Sequence, residues 1–484
     1  MPDIVLSTLN SRFSHASLGL RYLLANMGDL AERTRLVEFV INQRPLDIVE
    51  RLLALEPRII GFGVYIWNIV ETTQVVALLK QVRPDIQIVL GGPEVSHEQD
   101  QQAIIRDADY VISGPGDVSF AKLCQAILFG PKPLQKRVAG EQVPLAQLQL
   151  PYPLYSDRDL AHRLVYVEAS RGCPFKCEFC LSSLDKTSLP FPLDAFLQEL
   201  EHLYQRGART FKFVDRTFNL NIKTSLQILD FFLQRLTADL FVHFEVIPDH
   251  LPDKLKQAIA QFPAGTLQLE IGIQTFNPDV QALISRKQDN AKTEANLRWL
   301  REHSRAHIHA DLIAGLPGEA LESFAAGFDR LLALGPQEIQ LGILKRLRGT
   351  PLARHTEAFE MRYNPLPPYN ILCNRDLDFV TLQRLNRFAR YWDLIANSGR
   401  FRQTLPQLLG SQPFAEFMSF SDWLWQHSQQ TYQIALERLF DLVYQWLSQQ
   451  PHQAQQAAQT LLQDYRDTGA RGNPAFLQKL GNPA

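Results

Sequence analysis

The residues with the most chemistry to offer lie in one short stretch, Arg171-Gly172-Cys173-Pro174-Phe175-Lys176-Cys177-Glu178-Phe179-Cys180. Three of the chain's five cysteines fall here, spaced C-x3-C-x2-C. Three thiolates suit a [4Fe–4S] cluster in which one iron has no protein ligand and can bind a small molecule. A structural zinc site wants a fourth Cys or His, and no histidine lies within ten residues of any of the three. A zinc knot or a chance grouping of cysteines is the plainer alternative, and the chain downstream argues against it.

The spacing, with the aromatic Phe179 just before the last cysteine, resembles the signature of the radical S-adenosylmethionine (SAM) enzymes. In that family the open iron chelates the amino and carboxylate groups of SAM. An electron from the cluster then breaks a carbon–sulfur bond and releases a 5′-deoxyadenosyl radical. The resemblance makes Cys173, Cys177 and Cys180 the cluster ligands, places Phe179 at the SAM site, and implies an electron donor such as flavodoxin or ferredoxin.

The elements that must carry this loop read as a second strand–helix series. Leu164 to Ala169 is an apolar run leading directly into the cysteines. Strands at Thr210–Val214, Val242–Ile247, Leu267–Ile273, His307–Ala314 and Glu338–Leu344 follow, with helices at 222–236, 252–260, 278–284, 292–302 and 321–334 between them. Six such units predict a partial (β/α) barrel, open on one side, with its site at the carboxyl ends of the strands. Polar residues stand there: Asp215, Arg216, Glu245, Glu270, Gln274, Asp311, and Arg286 twelve residues after Gln274. Leu269-Glu270-Ile271-Gly272-Ile273-Gln274-Thr275-Phe276-Asn277-Pro278 and Asp311-Leu312-Ile313-Ala314-Gly315-Leu316-Pro317 resemble the radical SAM core of oxygen-independent coproporphyrinogen oxidase and the methylthiotransferases. That resemblance implies that Glu245, Gln274, Arg286 and Asp311 hold the ribose and methionine ends of SAM, with Asp215 in a similar role. Carboxylate and amide oxygens suit ribose hydroxyls and an ammonium group, and a guanidinium suits a carboxylate through paired hydrogen bonds. Rim ion pairs are the alternative for each; for Glu270 a structural carboxylate stands level with a ligand.

Residues 1–140 alternate short apolar runs (Ile4–Leu9, Arg35–Val40, Arg58–Tyr65, Ile86–Leu90, Tyr110–Ser113) with helical stretches at 17–26, 45–55, 69–82 and 100–107. This pattern predicts a doubly wound, Rossmann-like parallel sheet, with ligands outside the carboxyl ends of its strands. No G-x-G-x-x-G follows the first strand, which argues against a dinucleotide. The loops Asn10-Ser11-Arg12-Phe13-Ser14-His15, Gly61-Phe62-Gly63-Val64-Tyr65, Leu90-Gly91-Gly92-Pro93-Glu94 and Gly114-Pro115-Gly116-Asp117 together resemble the cobalamin (B12)-binding domain that precedes many radical SAM domains. The resemblance implies cobalamin contacts from Asn10, Ser14, Gly91, Gly92, Gly114 and Gly116. The motif D-x-H-x-x-G of histidine-ligated cobalamin proteins is missing: His15 has Phe13 two before it and Leu18 three after it. Helix capping or hydrogen bonding is the expected role of His15, and the lower axial ligand is left unassigned.

The domain reading is therefore a B12-binding-like domain over 1–140, a proline-bearing linker over 141–160, a radical SAM core over 161–363 and a helical C-terminal domain over 364–484. In the last, Asp376 or Asp378 is set to cap a helix through Ile395 with Leu382, Leu385, Phe388 and Trp392 on one face. A second helix is expected near 428–448 and a glutamine-rich helical tail over 449–463. The domain resembles an uncharacterised helical extension of some cobalamin radical SAM proteins and is read as packing on the barrel, lidding its open side. Cys124 and Cys373 are read as apolar thiols.

Composition sets outer bounds. The chain has 484 residues, 45% hydrophobic and 21% charged, with a formal net charge of −2. That balance gives no whole-chain case for nucleic acid or an anionic membrane. No apolar run reaches membrane-spanning length. The N-terminus lacks a basic-then-apolar leader, and five cysteines make no disulfide framework, so a cytoplasmic, reducing setting is expected. A local basic patch at Lys345, Arg346 and Arg348 is a candidate phosphate site. The leading functional reading is a cobalamin-dependent radical SAM enzyme that methylates an unactivated carbon of a small-molecule or peptide substrate. The alternatives are a cobalamin-independent radical SAM enzyme with a substrate-binding N-terminal domain, and a non-catalytic iron–sulfur protein.

Overall fold

The computed structural model describes residues 1–449 and 454–479. Its first unit is a six-stranded, all-parallel sheet: β1 (Ile4–Asn10), β2 (Thr34–Val40), β3 (Ile59–Gly63), β4 (Gln87–Gly91), β5 (Tyr110–Ser113) and β6 (Arg137–Ala139), in the order β2-β1-β3-β4-β5-β6. Strands buried on both faces lose the apolar–polar alternation, and β1 is buried at all seven positions. Helices cover both faces, and two apolar cores form, one on each side of the sheet. The chain order reverses at β1, between β2 and β3, which opens a crevice at the carboxyl ends.

Two stretches depart from the sequence reading. Residues 137–139 form a sixth strand, pairing Val111–Ser113 with Arg137–Ala139. The linker beyond it does not merely lie on the surface. Tyr152 and Tyr155 are 0% and 1% exposed, and their hydroxyls donate to the carbonyls of Glu168 and Tyr166 at 3.1 and 2.8 Å. Two amphipathic stretches not singled out above, Ser119–Phe129 and Leu193–Gln205, are helices.

The second unit is the expected open barrel of six parallel strands: β7 (Val165–Val167), β8 (Thr210–Phe213), β9 (Phe241–Val246), β10 (Leu267–Gln274), β11 (His307–Ala314) and β12 (Glu338–Ile343), ordered β12-β11-β10-β9-β8-β7. Its strands alternate. In β10 Leu267, Leu269, Ile271 and Ile273 are buried, while Gln268, Glu270, Gly272 and Gln274 are half-buried on the other face. Register carries that alternation round the barrel: Tyr166 pairs Lys212, Lys212 pairs His243, His243 pairs Gln268 and Gln268 pairs His307. The next layer holds Glu245, Glu270, His309 and Glu338. The inner face is thus polar, where an ordinary barrel would be filled by branched apolar side chains.

The C-terminal unit is helical, with helices at Phe379–Trp392, Pro413–Ser428, Leu436–Leu447 and Ala454–Asp467. Asp378 caps the first, accepting from Thr381 N at 2.7 Å. The expected 428–448 helix is shorter, because the chain turns between Gln429 and Ala435, with left-handed backbone at Gln429 and Gln433. Part of the glutamine-rich stretch, 450–453, lies outside the described residues. The unit shares one continuous core with the barrel. Phe328 of the barrel helix Leu321–Ala333 meets Phe388, Trp392 and Phe414 at ring distances of 5.2, 4.9 and 5.7 Å. Asn397 pairs with the open edge of β12, exchanging hydrogen bonds with Ile339 at 3.1 and 3.0 Å. The unit therefore packs behind the barrel and blunts one free edge.

Candidate active site

The cysteine loop begins where β7 ends. Gly172 has φ +95°, and a Cβ there would stand 2.4 Å from the Thr187 carbonyl oxygen, so only glycine makes the turn. Cys173 is buried and Cys177 and Cys180 half-buried. All three line a pocket of about 270 Å³ with Phe175, Phe179, Arg216, Glu245, Gln274, Arg286 and Asp311. Burial pushes the Cys173 and Cys177 thiols up, and the neighbouring thiols add to the rise. Among the described residues no three His, Cys, Asp or Glu side chains are placed to hold one metal ion. The three cysteines converge on this one pocket with no histidine beside them, the donor set of a three-thiolate cluster.

Gln274 sits at the end of β10 with φ +70°, just past a register shift at Gly272. A Cβ at Gly272 would lie 2.4 Å from Gln274 Nε2, so a larger residue there would push the Gln274 side chain aside. Arg286 donates to Gln288 Oε1 at 3.0 Å and to the Gly272 carbonyl, and its Nη1 is 3.6 Å from Cys177 Sγ. Glu245 accepts from Arg216 Nη1 at 2.8 Å, yet burial still raises its pKa. Asp311 is also raised by burial. Its Oδ1 is 3.3 Å from His309 Nε2 but has no aligned hydrogen-bond partner, which suits a donor on a ligand. Burial opposes ionisation of Glu270, but the hydrogen bond and charge of His243 outweigh it and hold the carboxyl at about 2.

Asp215 is a correction. It lies outside this pocket, and its oxygens accept from Ala169 N at 2.9 Å and Ser170 Oγ at 2.6 Å. It braces the strand entering the cysteine loop, and burial lifts its pKa to about 7. Its neighbour Arg216 faces the pocket instead.

A larger cavity of about 670 Å³ opens at the carboxyl ends of β1, β3, β4 and β5. Asn10, Gly91, Gly92, Gly114 and Gly116 line it. A Cβ at Gly91 or Gly114 would meet nothing within 4 Å, so glycine keeps these walls flat for a large, broad ligand. Gly92, at φ +109°, instead lets the chain pass the Val64 carbonyl, which a Cβ would approach to 2.4 Å. Ser14 is a second correction. It does not line the cavity, and its carbonyl accepts from Leu164 N at 2.8 Å, tying the loop to the linker. His15 does line the cavity, but its Nδ1 is 2.6 Å from the Tyr166 hydroxyl, and burial lowers its pKa. Tyr65 and Trp67 stack at 4.4 Å along another wall. A glycine-walled chamber outside the carboxyl ends of these strands is where the resemblance to cobalamin-binding domains puts the cofactor.

The barrel contributes to both sites. Tyr166, Glu168, Arg171 and Val214 of the barrel also line the larger cavity. Arg171, two residues before Cys173, binds Glu168 at 2.6 Å and reaches Asp117 of the N-terminal domain at 3.0 Å. Two further ion clusters join the domains. Arg21 and Arg163 meet Glu38 and Asp159, all nearly buried. Arg348 and Arg346 bind Glu94 and Glu98 at 2.8 and 2.9 Å, with the Tyr369 hydroxyl donating to Glu94 at 2.6 Å. Two of the three cations of the supposed phosphate patch are therefore paired in a domain contact.

Three family models match the chain: the B12 binding domain over residues 5–124, the radical SAM superfamily over 167–331, and a protein of unknown function (DUF4080) over 357–482. The chain belongs to the B12-binding radical SAM proteins. The family's cofactors are a [4Fe–4S] cluster, SAM and cobalamin. An uncharacterized methyltransferase of Pyrococcus horikoshii is 24% identical over 339 residues, 64% of this chain and 71% of that protein. A 2-(S-pantetheinyl)-carbapenam-3-carboxylate methyltransferase of Streptantibioticus cattleyicolor is 24% identical, and the match spans 61% of this chain but only about half, 48%, of that relative. The cobalamin-dependent SAM radical enzyme OxsB, solved with aqua-cobalamin bound, shares the fold at TM-score 0.64 and 14% identity, over 99% of this chain and 83% of its own. Among the described residues no helix is long and apolar enough to cross a membrane.

Sequence reasoning missed Glu178, Arg171 and Tyr166. The first sits between two of the cysteines, but its partners are 107 to 177 positions away, and no local pattern marks such a pairing.

Proposed function

We propose that this radical SAM protein is a cobalamin-dependent methyltransferase acting on an unactivated carbon of a small polar molecule. The observation that carries this is how close the two sites come along one segment: Arg171 lines the larger cavity, and Cys173, two residues on, lines the smaller. When bound, the cluster with SAM supplies a 5′-deoxyadenosyl radical and cobalamin supplies a methyl group. Cys173, Cys177 and Cys180 would hold the cluster. Glu245, Gln274, Arg286 and Asp311 would hold SAM, with Phe179 closing the pocket. Asn10, Gly91, Gly92, Gly114 and Gly116 would receive cobalamin. The polar inner face, with Lys212, His243, Gln268, His309 and Glu338 half-buried or buried, favours a hydrogen-bonding substrate over a lipid. The matched carbapenam relative is named for a small-molecule substrate, which agrees. A one-electron donor of flavodoxin or ferredoxin type would reduce the cluster.

The test is anaerobic reconstitution with iron, sulfide and cobalamin, followed by SAM cleavage and transfer of a labelled methyl group. Cys177→Ala should lose most iron and all deoxyadenosine release. Undiminished release from that variant refutes the cluster assignment. Full SAM cleavage with no bound cobalamin would favour the cobalamin-independent reading.

A further inference from the structure

Glu178 lies within the cysteine motif, yet its side chain does not join the pocket. It is 3% exposed, and a buried carboxylate is tolerated only when its oxygens are satisfied. Here they are oversupplied. Arg354 Nε donates at 2.8 Å and His355 Nε2 lies at 2.9 Å, both at Oε2; Ser285 Oγ and Arg354 Nη2 donate to Oε1. The backbone joins in: Glu178 N donates to Ile284 O, and Leu352 N donates to Glu178 O, both at 3.0 Å.

These partners belong to two separate segments. Ser285 ends the turn after the helix Pro278–Leu283 and holds a left-handed φ of +54°, a strained state for a residue with a Cβ. Arg286 follows it and is thereby aimed at Cys177 Sγ. Arg354 and His355 belong to a strap, Pro351–His355. That strap continues into the C-terminal unit. The His355 ring meets Phe359 at 5.8 Å, and Arg375 lies over Phe359 at 4.6 Å and donates its N–H to the Phe359 carbonyl at 2.8 Å.

We infer that Glu178 is a positioning residue: it pins the cysteine loop to the Ser285–Arg286 turn and to the strap leading into the helical unit, and so fixes where Arg286 meets the carboxylate of SAM. This rests on the radical SAM reading above. It also gives the strap that leads into the DUF4080 region a mechanical task, bracing the cluster loop from behind.

Glu178→Gln keeps the shape but weakens the charge-assisted bonds. The reconstituted variant should hold normal iron and give a normal spin-resonance spectrum when reduced without SAM. The SAM concentration that half-completes the SAM-induced change in that spectrum should rise about tenfold. KM for SAM should rise in parallel, with kcat changed less than threefold. Arg354→Ala, made from the strap side, should act in the same direction and more weakly. If Glu178→Gln fails to fold or to take up iron, Arg354→Ala and His355→Gln are read in its place with the same expectation. Half-saturation within twofold of wild type, or a fall in kcat with unchanged SAM affinity, overturns the inference. Failure of the wild-type protein to bind SAM would instead sink the functional reading itself.

Discussion

Gly91→Leu separates the cavity's role from its architecture. Gly91 closes β4 opposite Gly63, and its φ lies outside the left-handed region. A Cβ there meets nothing within 4 Å, so leucine fits the free protein without strain and projects four carbons into the cavity. Those carbons would stand where the ligand packs. Overpacking of a filled site costs about 1–3 kcal/mol, and 1.4 kcal/mol is a factor of ten in affinity. The cobalamin Kd should therefore rise about fivefold to a hundredfold. Anaerobic titration with hydroxocobalamin, followed in the visible spectrum, measures this directly, and thermal unfolding of the cobalamin-free protein should show little change. Gly61→Leu is the contrast: a Cβ at that position would lie 2.6 Å from the Phe120 ring, so it should damage folding first. An unchanged Kd for Gly91→Leu, with the fold intact, would show that the ligand does not use this wall and that the cavity has been misassigned.

Glu319, 2% exposed and bonded to Thr275 Oγ1, has its pKa raised by burial to about 7. A raised carboxyl binds its proton more tightly folded than unfolded. Its contribution is therefore whole below the unfolded pKa and is lost as pH rises through 7. Glu319→Gln should raise the melting temperature at pH 8 by an amount worth up to about 3 kcal/mol, with the gap closing near pH 5; a gap independent of pH contradicts this. Arg171→Met leaves Glu168 and Asp117, at 10% and 11% side-chain exposure, without their cation. Arg171 is 30% exposed, so the loss should be about 2 kcal/mol, below the range for a fully buried pair. Urea unfolding checks it, and a change under about 0.5 kcal/mol would mean the three charges are already well hydrated.

Both sheets were legible because their strands are long enough to show period and composition. Leu267–Gln274 alternates, Ile4–Asn10 is apolar throughout, and each pattern states which faces are covered. Arg137–Ala139 could not be read that way. Three residues between prolines carry no period, and only the partner strand Tyr110–Ser113 makes them a strand. The helices Ser119–Phe129 and Leu193–Gln205 are a different case, since their apolar spacing was open to inspection and went unassigned. At the site, spacing found the cysteines, and strand ends found Glu245, Gln274 and Asp311. Which way a polar side chain turns was beyond local pattern. Asp215 turns to Ala169 N and Ser170 because burial left those donors needing an acceptor. Likewise nothing near Glu178 announces Arg354, 176 positions on.

Salt bridges join the N-terminal sheet to the rest of the chain from three separate places: Asp117 to Arg171, Glu38 to Arg163, and Glu94 and Glu98 to Arg348 and Arg346. Pivoting about any one anchor is resisted by the other two. Most of these charges are shielded from water, so raising ionic strength loosens them little. The distance between the cysteine loop and the glycine-walled chamber is then a property of the folded chain itself, and a methyl carrier held there would have to be recharged where it sits rather than by swinging its whole domain away and back.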